Sequence, residues 1–254
     1  MDLTVLGSGT VAPSPRRTAP AHWVQAGEVQ LLIDCGAGAT HRLARYVPEW
    51  WHLTHVALSH FHVDHWGELP HLLFALRWGI DPPRTAPLTI LGPEGLRVRI
   101  THLAAAYGDW ITDPGFPLSV EELTPHEPRA LSDDVTLDCC RTPHTDRSLA
   151  LSLQDGTDRL VYTGDTGPSE HLGRWAAGCD LLLCECSLPD DQGVEIHLTP
   201  RQVGALARAV EPGQVVLTHF YPPVEGTGPA RVVREQFDGI VVEAADGDRF
   251  TTGR

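Results

Sequence analysis

Four groups able to bind a metal ion fall within six residues, His60-Phe61-His62-Val63-Asp64-His65, directly after the apolar run Thr54–Ser59. That run reads as a strand, and a strand end is where an open α/β fold presents functional side chains. Three imidazoles and a carboxylate crowded together are costly unless a cation compensates them. Three later segments repeat the arrangement, each placing a ligand type just past an apolar run: His144 in RTPHTD, Asp165 in VYTGDT and His219 in VVLTHF. Each is ordinary by itself, since a lone His or Asp at a strand end is usually a cap or turn residue. Taken together, the segments supply seven nitrogen and oxygen donors, His60, His62, Asp64, His65, His144, Asp165 and His219. Imidazole with carboxylate and no thiolate suits Zn²⁺, with Mn²⁺ or Fe also compatible.

The order HFHVDH, a distant His, TGDT and a late His, with the early GSGT and IDCGAG turns, resembles the metallo-β-lactamase superfamily over nearly the whole chain. The resemblance implies a four-layer αββα sandwich with the site at one edge of two sheets. It implies two divalent ions, one held by His60, His62 and His144, the other by Asp64, His65 and His219, with Asp165 bridging. Asp34, in IDCGAG, is expected to be a turn or supporting acid rather than a ligand. True β-lactamases of this fold are exported and carry a Cys ligand near the position of Asp165. This chain differs on both counts, so antibiotic hydrolysis is not expected.

His197 narrows the branch. It stands in EIHLTP, ahead of a helix-like run and 22 residues before His219. That context is similar to ribonuclease Z and its phosphodiesterase relatives, where this His contacts the scissile phosphate. A phosphodiester needs a proton for its leaving alkoxide and a donor for its developing charge. His197 and Asp64 are therefore the expected catalytic residues. The competing structural role for His197 is capping the next helix, although Thr199 is the better cap. In the tRNA-processing members a long basic arm separates the ligands corresponding to His144 and Asp165. Only 20 residues separate them here, reading as two short strands joined by QDGTD. The expected substrate is therefore a small phosphodiester, cyclic or nucleotide, and tRNA is not expected. Alternatives from the same residues are a lactonase or other ester hydrolase, a tRNA 3′-processing endonuclease, and a non-catalytic binding protein that kept the fold.

Holding seven donors in place needs strands that end together. Strand-like runs are expected at Asp2–Leu6, His22–Gln25, Val29–Asp34, Thr54–Ser59, Leu88–Leu91, Leu118–Leu123, Val135–Arg141, Ser148–Leu153, Arg159–Tyr162, Leu181–Cys184, Gln214–Leu217 and Ile240–Glu243. Helices are expected at Thr40–Tyr46, Glu68–Trp78, Glu94–Tyr107, Pro200–Val210 and Ala230–Phe237. Antiparallel runs flanked by helices suggest two packed sheets with helices outside. No linker or repeat divides the 254 residues, so a single α/β domain over residues 1–254 is expected.

The formal net charge is −14, from 19 basic and 33 acidic residues, and every basic residue is Arg. Lysine chemistry is excluded, and tight non-specific nucleic-acid binding is disfavoured. MDLTVLGSGT lacks a basic region followed by an apolar one, so a cytoplasmic protein with six reduced, buried thiols is expected. Cys184 and Cys186 read as core packing. Two apolar stretches, Tyr46–Leu53 with Trp50 and Trp51, and Leu72–Trp78, exceed what one helix can bury, so a homodimer is expected. The loops Gly108–Pro117 and Tyr221–Gly228 are candidates to wall the pocket. His22, His41, His71, His126 and His171 belong to no motif.

Overall fold

Residues 181–184, LLLC, are buried without alternation, as in a strand covered on both faces. That pattern recurs through the centre of the structure, a computed structural model that describes residues 1–253. In chain order the elements are β1 (Asp2–Gly7), β2 (Ala21–Ala26), β3 (Val29–Ile33), α1 (Ala39–Tyr46), β4 (His55–Ala57), α2 (Val63–Trp66), α3 (Leu69–Trp78), β5 (Leu88–Gly92), α4 (Leu96–Tyr107) and β6 (Leu118–Glu122). The second half comprises β7 (Arg129–Ala130), β8 (Val135–Arg141), β9 (Leu149–Asp155), β10 (Asp158–Tyr162), α5 (Glu170–Ala176), β11 (Leu181–Glu185), α6 (Pro200–Val210), β12 (Gln214–Thr218), α7 (Pro229–Val233), β13 (Ile240–Glu243) and β14 (Arg249–Thr251).

The strands form two sheets of seven, ordered β14-β1-β2-β3-β4-β5-β6 and β13-β12-β11-β10-β9-β8-β7. Three apolar clusters define the layers. Leu31 and Ile33 from the first sheet meet Leu151, Leu183 and Val216 from the second in the central core. Leu43, Leu72 and Ile100 from α1, α3 and α4 cover the outer face of the first sheet. Leu172, Val203 and Val233 from α5, α6 and α7 cover the second. This is the four-layer αββα sandwich expected from the sequence.

The sheets are not the antiparallel arrays that the sequence suggests. The ladders β3-β4, β4-β5 and β5-β6 are parallel, as are β10-β11, β11-β12 and β12-β13. The remaining ladders are antiparallel. Each sheet thus switches mode midway, and the ligand-bearing turns follow the carboxyl ends of β4, β10 and β12, where crevices in α/β sheets open. Helix α5, capped by Ser169 accepting from Leu172 N at 3.1 Å, is absent from the sequence reading. Its seven residues are too short, and too interrupted by Gly173, for a helical period to show. All six cysteines are free and buried, with Cys184 and Cys186 in the outer core of the second sheet. Among the described residues no helix is long and apolar enough to cross a membrane.

Candidate metal centre

Strand β4 delivers His60 to the sheet edge, and the chain then turns into the one-turn helix α2, with His62 as its N-cap and Asp64 and His65 inside it. The turn is seated on the loop after β3: Cys35 N–H donates to His65 O at 2.6 Å, and Glu68 N–H donates to Cys35 O at 3.0 Å. A Cβ at Gly36 would lie 1.9 Å from Asp64 O, so only glycine allows this approach. His144 follows β8, Asp165 follows β10, and His219 follows β12 with a left-handed φ of 59°.

The seven donors predicted from sequence converge as two groups that share one carboxylate. His62 Nδ1 and His144 Nε2 are 3.0 Å apart. Asp165 Oδ2 lies 3.5 Å from His144 Nε2 and 3.8 Å from His60 Nε2. Its other oxygen, Oδ1, lies 3.3 Å from both His65 Nε2 and His219 Nε2, which are themselves 3.3 Å apart. Asp64 Oδ2 completes the second group, 3.9 Å from His65 and 3.8 Å from His219. Donors bound at about 2.0–2.1 Å around one tetrahedral ion sit roughly 3.3 Å apart, so these spacings match ligands around an ion.

The surrounding hydrogen bonds turn the lone pairs inward. His65 Nδ1–H donates to Asp34 Oδ2 at 2.7 Å, and His144 Nδ1–H donates to Ile196 O at 3.0 Å. His219 Nδ1–H donates to Ser187 Oγ at 2.9 Å, and His60 Nδ1–H to Ser59 Oγ at 3.1 Å. Each of these rings spends its proton outward, leaving Nε2 as a bare acceptor facing other acceptors. His60 Nε2 and Asp165 Oδ1 are buried with no hydrogen-bond partner among the described residues. Each such orphan costs about 1–3 kcal/mol, and a cation removes both penalties at once. The donor set therefore fits two divalent ions.

Electrostatics agree. Burial works to raise the pKa of Asp165, but the imidazoles of His219 and His65 hold it well below the usual carboxylate range. Burial likewise opposes ionisation of Asp64, and His219 and His65 overcome it. Burial would lower His65, but Asp165 and Asp34 raise it well above an ordinary histidine. These carboxylates would equally compensate a metal cation at the same point.

A model of the beta-lactamase superfamily domain matches residues 30–220. The chain belongs to the beta-lactamase superfamily. Ribonuclease Z of Mycobacterium bovis (strain BCG / Pasteur 1173P2) is 30% identical over 273 residues, spanning 97% of this chain and 94% of that protein. Among solved structures, the metallo-beta-lactamase fold protein YhfI from Bacillus subtilis superposes with a TM-score of 0.86 at 25% identity, covering 98% of both chains. The short form of human tRNase Z superposes at 0.80 and 24% identity over 100% of both, a likeness of fold. The superfamily member described here is thus ribonuclease Z-like and a metal-dependent hydrolase, and its His and Asp clusters are compatible with a dinuclear metal site.

Two buried carboxylates outside the donor set support the centre. Asp34, expected as a supporting acid, is fully buried and accepts from Ser59 N at 2.7 Å, Ser59 Oγ at 2.8 Å and Tyr162 Oη at 2.9 Å, besides His65. Glu185, at the end of β11, was not anticipated. It is fully buried, accepts from His197 Nδ1–H at 3.1 Å and from Leu198 N at 3.2 Å, and receives the Ser187 hydroxyl proton. It therefore orients His197 directly and His219 through Ser187. The signal was available, since a glutamate inside an apolar strand is almost never buried without partners.

His197 lies beside the metal donors, its ring stacked on His219 at 5.6 Å and tilted against His144 at 4.8 Å. Burial would lower its pKa, but the hydrogen bond and charge of Glu185 raise it. Helix α6 does not need His197 as a cap. Thr199 is its N-cap, and Thr199 N–H donates to Gln202 Oε1 at 2.9 Å, the return half of a capping box. Of the two candidate loops, Tyr221 approaches His219 at 5.7 Å and His197 at 5.9 Å. Trp110 instead packs on Phe74, and Phe116 is buried under the Arg84 guanidinium. His22 is a core residue, pushed down to about 3 by burial and by His65 and His219.

Asp34→Asn is expected to weaken metal binding 10–100-fold, the usual cost of losing a ligand's hydrogen-bond partner. Asp34 meets only donors, and an amide NH₂ placed among them leaves one pair opposed. Competition with a chelator reads the change, and unaltered metal affinity would show that Asp34 does not orient His65.

Proposed function

We propose that this hydrolase is a phosphodiesterase acting on small cyclic or nucleotide diesters. The observation that carries the reading is the Glu185–His197 pair: a histidine beyond the seven expected ligands, held through Nδ1 by a buried carboxylate and set against both donor groups. Two divalent ions bound by His60, His62, His144, Asp165, Asp64, His65 and His219 would polarise a phosphoryl oxygen and bring a water's acidity toward neutral pH. Zn²⁺ is the ion that this donor set suits first. Asp64 accepts a hydrogen bond from the attacking water and so fixes its direction. His197 presents Nε2 to the leaving oxygen, because Nδ1 is committed to Glu185. It supplies the proton that an alkoxide needs to depart, and Glu185 holds the resulting tautomer.

A small anionic substrate is supported by a cleft of about 390 Å³ beside His62, lined also by Phe61, Arg99, Thr145, Asp146 and Arg147. The Arg99 guanidinium lies 4.0 Å over the Phe61 ring. Asp146 offsets part of the arginines' charge and Arg147 also lies 3.8 Å from Glu94, so Arg99 is the cation best able to meet a phosphate or carboxylate on the substrate. A lactone would not use it. Turnover of a phosphodiester is therefore expected to exceed that of a lactone by at least about a hundredfold, the smaller end of what a positioned general acid contributes. Lactone turnover above diester turnover would overturn the proposal.

The names of the relatives favour a second reading, tRNA 3′ processing, and bear against the expectation that tRNA is not a substrate. Against it stands the segment between His144 and Asp165, which folds as the tight hairpin β9-β10 with register Asp155–Asp158 and carries no arm. The net charge of −14 adds to this.

The homodimer also belongs to this proposal. Leu72, Leu73 and Leu76 are spent in the core, whereas Phe74 and Trp78 remain 47% and 51% exposed and pack with Trp110. Exposed aromatic patches of this kind are enriched at contact surfaces, which supports the pairing. Light scattering at micromolar concentration should give twice the chain mass, and Phe74→Asp with Trp78→Asp should halve it. A wild-type monomer would count against the pairing.

A further inference from the structure

We propose a third cation site, outside the dinuclear centre, formed by His126, Cys140 and His171 and suited to one Zn²⁺-like divalent ion. The three residues come from three segments: the loop between β6 and β7, the end of β8, and the first turn of α5. His126 Nε2 and His171 Nε2 are 3.2 Å apart, with the rings inclined at 80°. One ring nitrogen of each histidine and Cys140 Sγ all lie within 4.8 Å of one another. Two imidazoles and a thiolate are a donor set for Zn²⁺, which binds nitrogen at about 2.0–2.1 Å and sulfur at about 2.3 Å.

Cys140 is unlike the other thiols. Val135, Leu137 and Cys139 on β8 face the central core, and the alternation turns Cys140 to the opposite face. Cys35, Cys139, Cys179, Cys184 and Cys186 all belong to apolar clusters, and Cys140 belongs to none among the described residues. It is buried beneath two exposed histidines. The loop that brings His126 is pinned, since His126 N–H donates to Cys139 O at 2.9 Å. His126 also holds a left-handed φ of 65°, a strained conformation for a residue with a Cβ. Asp138, on the same face of β8, adds negative charge beside the thiol and is fixed by Trp175 Nε1–H at 3.0 Å.

Burial, with Asp138 adding to it, pushes the Cys140 thiol up to about 11. Ion uptake must therefore displace its proton: the S–H bond breaks, a sulfur–metal bond forms, and H⁺ leaves to solvent. Three donors and this proton cost make the site weaker than the dinuclear centre, and its occupancy rises with pH. An ion there would tie the start of α5 to β8, stiffening the stretch that runs from Asp165 into that helix.

The test is titration of the zinc-loaded protein with Co²⁺ at pH 8. The seven donors of the dinuclear centre are all nitrogen and oxygen, so a thiolate-to-cobalt charge-transfer band reports Cys140. The expected result is one further ion per chain, the band, and release of one proton. Cys140→Ser should lose the band and the extra ion and keep the first two. The double variant His126→Ala with His171→Ala, at two exposed positions, should weaken the extra ion at least about tenfold. Absence of the band, an equal metal count in wild type and Cys140→Ser, or a band that survives in the double-histidine variant would each overturn the site. The first would leave a buried thiol beneath a simple imidazole–imidazole hydrogen bond, and the last would place the cobalt on a thiolate that the two histidines do not serve.

Discussion

Replacing Asp165 with alanine is expected to release at least one of the two tightly held ions and lower hydrolysis by more than about 10³-fold. Loss of a ligand's hydrogen-bond partner costs 10–100-fold, and loss of a ligand serving both sites must cost more. Among the described residues no other has one oxygen 3.3 Å from His65 and His219 and the other 3.5 Å from His144. Without it, His65 and His219 keep their inward lone pairs with a single carboxylate, Asp64, to help offset a cation's desolvation. Asp64→Ala makes the useful comparison, because it strips only the second group. Elemental analysis after gel filtration in metal-free buffer should give two ions for wild type, one for Asp64→Ala, and one or none for Asp165→Ala. The melting temperature should follow the count, because an ion bound only to the folded state stabilises it by mass action. An Asp165→Ala protein that retained two ions would refute the bridge.

The second large effect is expected at His197. His197→Ala should keep both ions and lose about 10²–10⁴ in turnover, or roughly 3–5 kcal/mol of barrier. The loss should depend on the leaving group. A nucleotide alkoxide needs the proton badly, whereas a nitrophenolate departs without it, so bis-nitrophenyl phosphate should suffer much less. Glu185→Gln should reproduce part of this selectivity, because the amide retains the shape but not the charge that holds the Nδ1 proton. A residue serving only as a cap would instead cost about 1 kcal/mol of stability and spare turnover. Near-wild-type rates on both diesters with a lowered melting temperature would remove His197 from the reaction. Equal large losses on both would assign it to charge stabilisation instead of proton transfer.

The donor groups were legible because chemistry and fold leave the same trace. His60, His144, Asp165 and His219 each follow an apolar run, and strand ends are visible as changes of composition even where strand direction is not. Direction was misjudged for that reason: an apolar run paired parallel looks like one paired antiparallel, and only the connections distinguish them. The one-turn helix α2 was invisible, since four residues carry no period, and it depends on the loop at Cys35–Gly36 for its seat. Glu185 was hidden in the run LLLCEC, where a charged residue in a core strand should have raised the question of its partner. Arg99 and Arg147 could not be paired from the sequence, because α4 and the β8-β9 loop meet only in the folded chain. The cluster of His126, Cys140 and His171 is of the same kind: three residues with no shared motif, brought together by a loop, a strand and a helix that the sequence does not connect.

Hydrolysis of small phosphodiesters by a centre without an RNA-gripping arm can be put to a single competition. Metal-replete protein should be given a ribonucleoside 2′,3′-cyclic phosphate and a precursor tRNA in the same buffer, and kcat/KM measured for each. The expected result is steady turnover of the cyclic diester, inhibited by chelation, with no defined cut at the tRNA 3′ end. Efficient 3′-end cleavage of the precursor, with the cyclic diester left intact, would contradict it.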